Sequence, residues 1–326
     1  MTSMSGRLAR RSAIRSMIAS FTQRLIRRQA PRGAPCLEAE WLWDVVAAGL
    51  DPWCRQNPPG YGPVMTHLTC TVEDDLATIV LHNAPQNRIG LQMVAELDDA
   101  LRVVETSGAR AVLLRAEGRD FSYGGDIAPW PQWSEEELRS HFQQFMAVFN
   151  RYERLPVPTV AAVQGLCFGG GFELVLRSDV VVAGEGAAFG HPEQSIAIVT
   201  LLGGIYRVAE RAGRAKAMEW AITSERVPAA EMARFGVVNR VVPDTDLLDA
   251  ATAFARKAAQ GPTRAHAAHK ALLRTWAIGG TAAADEIMFD VAIPLWSTED
   301  TRMAIPAAVE AMRAGERRPA MPFQGR

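Results

Sequence analysis

The sequence predicts an α/β fold with a mainly parallel sheet and a helical C-terminal part. Three observations predict it. Segments with strand character alternate with helical stripes from about residue 68 to residue 183. The strand-like segments are short and apolar, as in a sheet buried on both faces. From about Leu201 onward helical patterning dominates. The 326 residues, 48% apolar and 22% charged, can bury a large core in one or two domains.

Leu68–Thr71 and Ala77–His82 flank the acidic turn Glu73-Asp74-Asp75 and read as a hairpin. Gly90–Thr106 carries Leu91, Val94, Leu97, Leu101 and Val104 on one helical stripe. Ala111–Leu114 is a short buried strand, and Gly118–Pro129 a glycine-rich loop. Ser134 opens a helix with Glu137 three residues on, the pattern of a capping box, and this helix runs toward Arg154. Thr159–Val163 is an apolar strand leading into a glycine run and a helix, and Val180–Ala183 is the next strand. Asn239–Val242 is a last short strand. Gly261-Pro262 breaks the helices, and a helical tail is expected to Arg326.

Charge is uneven along the chain. Residues 1–64 carry nine arginines and four acidic residues, a surplus of +5; the rest therefore carries −6 against a whole-chain charge of −1. Ile14, Met17, Ile18, Phe21 and Leu25 fall at helical spacing among Arg15, Arg24, Arg27 and Arg28. Three readings of this arm stand open: a dispensable or mis-started segment with Met65 as the real start, a docking or membrane-surface helix, or a cleaved presequence. The divisions expected are a basic arm (1–64), an α/β core (65–255) and a C-terminal helical region (256–326). No apolar run is long enough to span a bilayer. The four cysteines, Cys36, Cys54, Cys70 and Cys167, lack paired spacing and fit a reducing compartment. Three lysines against 32 arginines read as the mark of a GC-rich bacterial genome, so a bacterial cytoplasmic location is expected. The acidic core and scarce lysine argue against nucleic acid.

Two loops and two glutamates carry the candidate chemistry. Phe121-Ser122-Tyr123-Gly124-Gly125-Asp126-Ile127 follows a strand, and its paired glycines let backbone N–H groups approach a ligand. A tight turn would use the same pair. In Gln164-Gly165-Leu166-Cys167-Phe168-Gly169-Gly170-Gly171-Phe172-Glu173-Leu174 a glycine run leads into a helix, whose orphan N–H groups favour negative charge. That charge is a phosphate or a carbonyl oxygen that turns negative in reaction; close strand–helix packing is the alternative. Glu173 lies between Phe172 and Leu174, and Glu193 lies in Phe189-Gly190-His191-Pro192-Glu193 beside the apolar run Ile196–Leu202. Two carboxylates in apolar surroundings make a general acid/base pair if the fold brings them together. A surface or capping glutamate is the alternative at each position.

With these residues in place, the chain from about Thr66 to Arg326 resembles the crotonase superfamily, the enoyl-CoA hydratase/isomerase family. Phe121–Ile127 is similar to its F-x-A-G-A-D-[LI] loop, Ala162–Leu174 to A-x-x-G-x-x-x-G-G-G-x-E-L, and Phe189–Glu193 to F-G-x-P-E. The resemblance implies a spiral of ββα units with a C-terminal helical region that assembles trimers or hexamers. It implies an acyl-CoA thioester substrate, with CoA part of that substrate and no separate cofactor or metal. It places the oxyanion hole at the backbone N–H groups of Tyr123 and Gly170, and substrate contacts at Gly124, Gly125, Asp126, Gly169 and Gly171. Glu173 and Glu193 take the two catalytic glutamate positions, which implies hydration of a trans-2-enoyl thioester. A double-bond isomerase, another lyase or hydrolase of an acyl-CoA, and a non-catalytic binding protein are the rivals.

Three departures from the family pattern stand out. Ala197-Ile198-Val199-Thr200-Leu201-Leu202-Gly203-Gly204 replaces G-x-x-P-G-x-G-G. Pro85-Gln86-Asn87-Arg88-Ile89-Gly90 replaces the commoner R-N-A-L in a region that helps hold CoA. The arm has no family counterpart. Among other polar residues, His191 reads as a surface histidine or a donor to Glu193. His266 and His269 read as a solvated face rather than metal ligands. Trp130 and Trp133 read as core packing or a cover for an acyl channel.

Overall fold

The computed structural model describes residues 65–326; the arm expected at 1–64 lies outside the described residues. The chain enters as the hairpin the sequence predicts. Strand β1 (Leu68–Glu73) pairs antiparallel with β2 (Leu76–Leu81). Asp74 and Asp75 form the two-residue turn, both at positive φ (48° and 66°). That handedness matches the twist of paired strands, and Asp tolerates it better than most residues.

Four more strands extend this sheet in parallel: β3 (Ala111–Ala116), β4 (Thr159–Val163), β6 (Val180–Gly184) and β9 (Arg240–Val242). The order is β1-β2-β3-β4-β6-β9. The parallel strands are mostly apolar because both faces are covered, with Arg115, Thr159 and Arg240 the exceptions. Along β3 and β4 alternate residues divide between two cores. Val112, Leu114, Ala161 and Val163 face the larger core. Ala111, Leu113, Val160 and Ala162 face a smaller one, closed by Leu247, Ala251 and Ala255 of a helix over Leu247–Ala259.

A second sheet, β5 (Leu166–Phe168), β7 (Ala188–Gly190) and β8 (Val227–Pro228), lies alongside in that order. The chain steps from β4 to β5 and from β6 to β7, changing sheet each time before a helix follows. Successive turns thus stack as ββα units. The glycine-rich segment read as one strand into a helix is therefore two strands in two sheets, separated at Gln164-Gly165. Strands β7 and β8 are too short to leave a periodic signal in sequence.

Helix α1 (Leu91–Thr106) buries Val94, Leu97, Leu101 and Val104 as its stripe requires, while Leu91 stays exposed. Helix α2 (Glu135–Glu153) begins at Ser134 with the full capping box: the Glu137 N–H donates to Ser134 Oγ, and Glu137 Oε2 accepts from the Ser134 N–H. Helix α3 (Gly169–Val175) follows β5; α4 (Gly204–Ala212), α5 (Arg214–Thr223) and α6 (Ala229–Arg234) follow β7. Helix α7 is the Leu247–Ala259 segment. It spans the division expected at 255/256, and the helix break falls at Gly261-Pro262, as the sequence predicts, ahead of α8 (Thr263–Ala292). Gly280 departs from helical backbone and kinks α8. Helix α9 (Glu299–Ala314) ends at Gly315 in the left-handed conformation. The tail beyond it is not helical, contrary to expectation. Pro319 and Pro322 cannot continue a helix, and residues 324–325 turn back so that their N–H groups donate to the Asp300 carboxylate.

Candidate active site

Segment 86–89, loop 121–126 and β5 lie side by side. Ser122 bridges to Cys167 and Gly125 to Ile89, each in parallel register. Gly124 and Gly171 make this close approach possible. Gly124 has φ +93°, and a Cβ on it would lie 2.9 Å from the Phe168 carbonyl oxygen. A Cβ on Gly171 would lie 2.4 Å from Ser122 Cβ. Ser122 ties the bundle further: its Oγ donates to the Asn87 carbonyl (2.7 Å) and accepts from the Gly124 N–H (3.1 Å).

This packing decides which N–H groups are free. The Tyr123 N–H, expected in the oxyanion hole, donates to the Gln86 carbonyl at 3.0 Å and is spent there. The Gly125 N–H has no acceptor among the described residues, because its bridge to Ile89 uses only the flanking Gly124 carbonyl and Asp126 N–H. It lies 3.6 Å from where a Cβ of Gly170 would stand. Gly170 is the second residue of α3, where an N–H has no partner within the helix. The two free donors that face each other are therefore Gly125 and Gly170. With α3 only two turns long, the orphan N–H groups themselves are the useful feature.

Both donors line a cavity of about 200 Å³ that also takes in Glu173 and Glu193. The fold brings together the two glutamates the sequence singled out. Glu173 is 2% exposed, and its Oε1 accepts from the N–H groups of Leu202 (2.8 Å) and Gly204 (2.9 Å). Burial raises its pKa above the usual carboxylate range, against the lowering effect of those two bonds. Glu193 sits on the short turn Pro192–Ile196, with Oε1 3.1 Å from where a Cβ of Gly169 would stand. Burial, then the Glu173 charge, pushes its pKa up to about 7.

The altered segment 197–204 is thus the strand of backbone that holds Glu173. Arg177, which the sequence reading passed over, fixes it from the other side. The buried guanidinium donates to the Glu173 carbonyl (2.8 Å) and the Leu202 carbonyl (2.7 Å). A cation four residues after Glu173, in the turn just beyond an otherwise apolar helix, is its signal in the sequence. Burial lowers its pKa to about 10, so it remains charged at neutral pH.

Other expectations divide. Gly124 and Gly169 line the cavity; Asp126 and Gly171 do not. Asp126 instead orders its own loop, with Oδ1 accepting from the Ala128 N–H at 3.4 Å, and Gly171 packs on Ser122. Trp130 lines the cavity, whereas Trp133 stacks on His141 (4.4 Å between ring centroids). His191 is not at the surface: it is 3% exposed, against Phe172, with Nδ1 3.8 Å from Glu193 Oε2. Burial lowers its pKa to about 4, which leaves it neutral near pH 7. His266 is half-buried while His269 is exposed, so they do not share one solvated face. The Gln86–Ile89 segment pins the donor loop, and Arg88 Nη1 donates to the Gly125 carbonyl at 3.2 Å.

Comparison with known proteins agrees with this architecture. The family model for enoyl-CoA hydratase/isomerase matches residues 71–313. A Mycobacterium tuberculosis protein named a probable enoyl-CoA hydratase is 33% identical over 200 residues, covering 60% of this chain and 77% of its own. A Bacillus subtilis protein of the same name is 31% identical over 202 residues, with the same coverage. The crystal structure of an enoyl-CoA hydratase from Bacillus anthracis superposes with a TM-score of 0.72 at 26% identity, covering 80% of this chain and all of that one. With the crotonase fold in place, and buried Glu173, partly buried Glu193 and two free N–H groups lining one cavity, the chain belongs to the enoyl-CoA hydratase/isomerase family.

Proposed function

We propose that the protein hydrates a trans-2-enoyl-CoA thioester. The observation that carries this reading is the shared cavity: buried Glu173 and partly buried Glu193, both with raised pKa, beside the free N–H groups of Gly125 and Gly170. The thioester oxygen accepts from those two N–H groups. Glu173, whose Oε1 takes two backbone bonds, serves as the ionised partner, and Glu193 carries the proton. A water between them loses one proton to Glu173 as its oxygen bonds to Cβ. The alkene electrons move toward the carbonyl, and the enolate charge grows on the oxygen facing Gly125 and Gly170. Glu193 then protonates Cα, giving a 3-hydroxyacyl-CoA. Proton exchange with solvent returns the pair to a single shared proton.

The test is turnover of trans-2-enoyl-CoA esters, followed by loss of the conjugated thioester absorbance and by product mass. Hydration adds one water. Glu173→Gln and Glu193→Gln should each lower kcat by about 10²–10⁴. A mass-neutral shift of the double bond that survives one of these substitutions would establish an isomerase instead. No water gain on any ester would overturn the hydratase reading.

Two further readings accompany it. The C-terminal region carries the contacts of a homotrimer or a pair of trimers, supported by the exposed apolar residues of α8 and α9. A cytoplasmic site is supported by the cysteine and arginine usage, and no helix among the described residues is long and apolar enough to cross a membrane.

A further inference from the structure

The family's donor loop reads F-x-A-G-A-D, whereas this chain has Gly125 at the second alanine. The missing methyl matters because the space is taken. A Cβ on Gly125 would lie 3.1 Å from Trp130 Cζ2 and 3.4 Å from Cη2. The indole thus lies against the residue whose N–H faces the thioester oxygen.

Trp130 is wedged there. It stands edge-on to Phe142 (5.2 Å, 82°), and Phe142 stands edge-on to the buried Phe145 (5.7 Å, 68°). Its backbone is tied at both ends, with its N–H donating to Ile127 (3.2 Å) and its carbonyl accepting from Trp133 (3.1 Å). Swinging the ring away would break these edge-to-face contacts, and Gly125 blocks the opposite direction. These rings, with Ile127 and Leu202, belong to the apolar lining of the cavity.

The room beside the reacting groups is small: an apolar cavity of about 150 Å³ holds one benzene ring, and this one measures about 200 Å³.

We propose that Trp130, seated in the space that Gly125 leaves open, ends the acyl pocket and makes short enoyl thioesters the substrate class. The proposal rests on the hydratase reading and names its specificity-determining residue. Acyl carbons beyond the alkene meet the indole, and each methylene that a filled pocket rejects costs about 10–200-fold in kcat/KM.

The experiment measures kcat/KM on trans-2-enoyl-CoA esters of four to ten acyl carbons, for the wild type, Trp130→Ala and Trp130→Phe. Isothermal titration with the saturated four- and eight-carbon acyl-CoA esters runs beside it and reads binding without turnover. The wild type should favour the four-carbon over the eight-carbon ester by about 100-fold or more. Trp130→Ala should cut that ratio by about tenfold or more, and Trp130→Phe by less. An unchanged ratio in Trp130→Ala would overturn the assignment. So would a wild type that takes both esters equally, a result that does not depend on any variant folding. Saturated esters that bind without regard to length would sink Trp130 alone. Failure of every ester to bind or react would remove the hydratase reading, and this assignment with it.

Discussion

At the residue scale the two glutamates differ in how they are held. Glu173 is fixed by two backbone N–H groups, whereas Glu193 Oε2 is buried with no hydrogen-bond partner among the described residues. The reaction needs one proton on the pair, so kcat/KM should be bell-shaped in pH. The acid limb reflects protonation of both groups, and the alkaline limb should begin near pH 7, where Glu193 ionises. A flat profile from pH 6 to 9 would contradict this pairing. The same shift affects stability. Glu193 has a higher pKa folded than unfolded, so the fold favours its neutral form. That contribution is complete below about pH 4.5 and is lost as pH rises through about 7. Glu193→Gln stays neutral throughout. It should therefore be more stable than the wild type above pH 7 by about 1–3 kcal/mol, with the gap closing below pH 4.5. Denaturant titrations at pH 4 and pH 8 check both the size and the sign.

At the element scale the segment from Ala197 to Gly204 turns a departure in sequence into a local device. Leu202 contributes its N–H to the Glu173 carboxylate and its carbonyl to Arg177, whose other arm holds the Glu173 carbonyl. Helix α3 and the segment are thereby locked in register. Arg177→Met should strand both carbonyls in the core, at about 1–3 kcal/mol each, and lower kcat more than it raises KM. Thermal unfolding beside steady-state kinetics tests this; unchanged kcat would show that Arg177 serves stability alone. Ala197 sits at φ +58° where the family places glycine. Ala197→Gly should relieve that conformation and add up to about 1 kcal/mol, readable as a rise in Tm. A fall in Tm would mean that the methyl group packs usefully.

At the scale of the whole molecule, the C-terminal helices are only partly accounted for by the core. Helix α8 buries Ala268 alone, while Ile278 is 83% exposed and Phe289 72%. Trp276, Trp296 and Met312 add to this apolar surface. Such surface is normally covered by another chain. Sedimentation should give a mass of three or six chains, and Phe289→Glu or Ile278→Asp should shift the protein toward single chains. A monomer at micromolar concentration would refute the trimer reading.

Much of this was legible in the sequence because it rests on local chemistry. The hairpin, the capping box and the stripes of α1 depend on residues within one turn or one strand of each other. The two glutamates were visible as charges in apolar runs. The departure at 197–204 was visible too, although not its use. What the tertiary structure decided is everything that depends on distant residues sharing one space. Glu173 and Glu193 are 20 positions apart, and only the step from β6 to β7 brings them to one cavity. The donor loop carries several N–H groups, and its own sequence cannot say which is free. The Gln86 carbonyl takes that of Tyr123 and leaves that of Gly125. The burial of His191 and the clamp of Arg177 are likewise set by neighbours far along the chain. The sequence determined which residues could do the chemistry; the packing of three separate segments determined which atoms remain available for it.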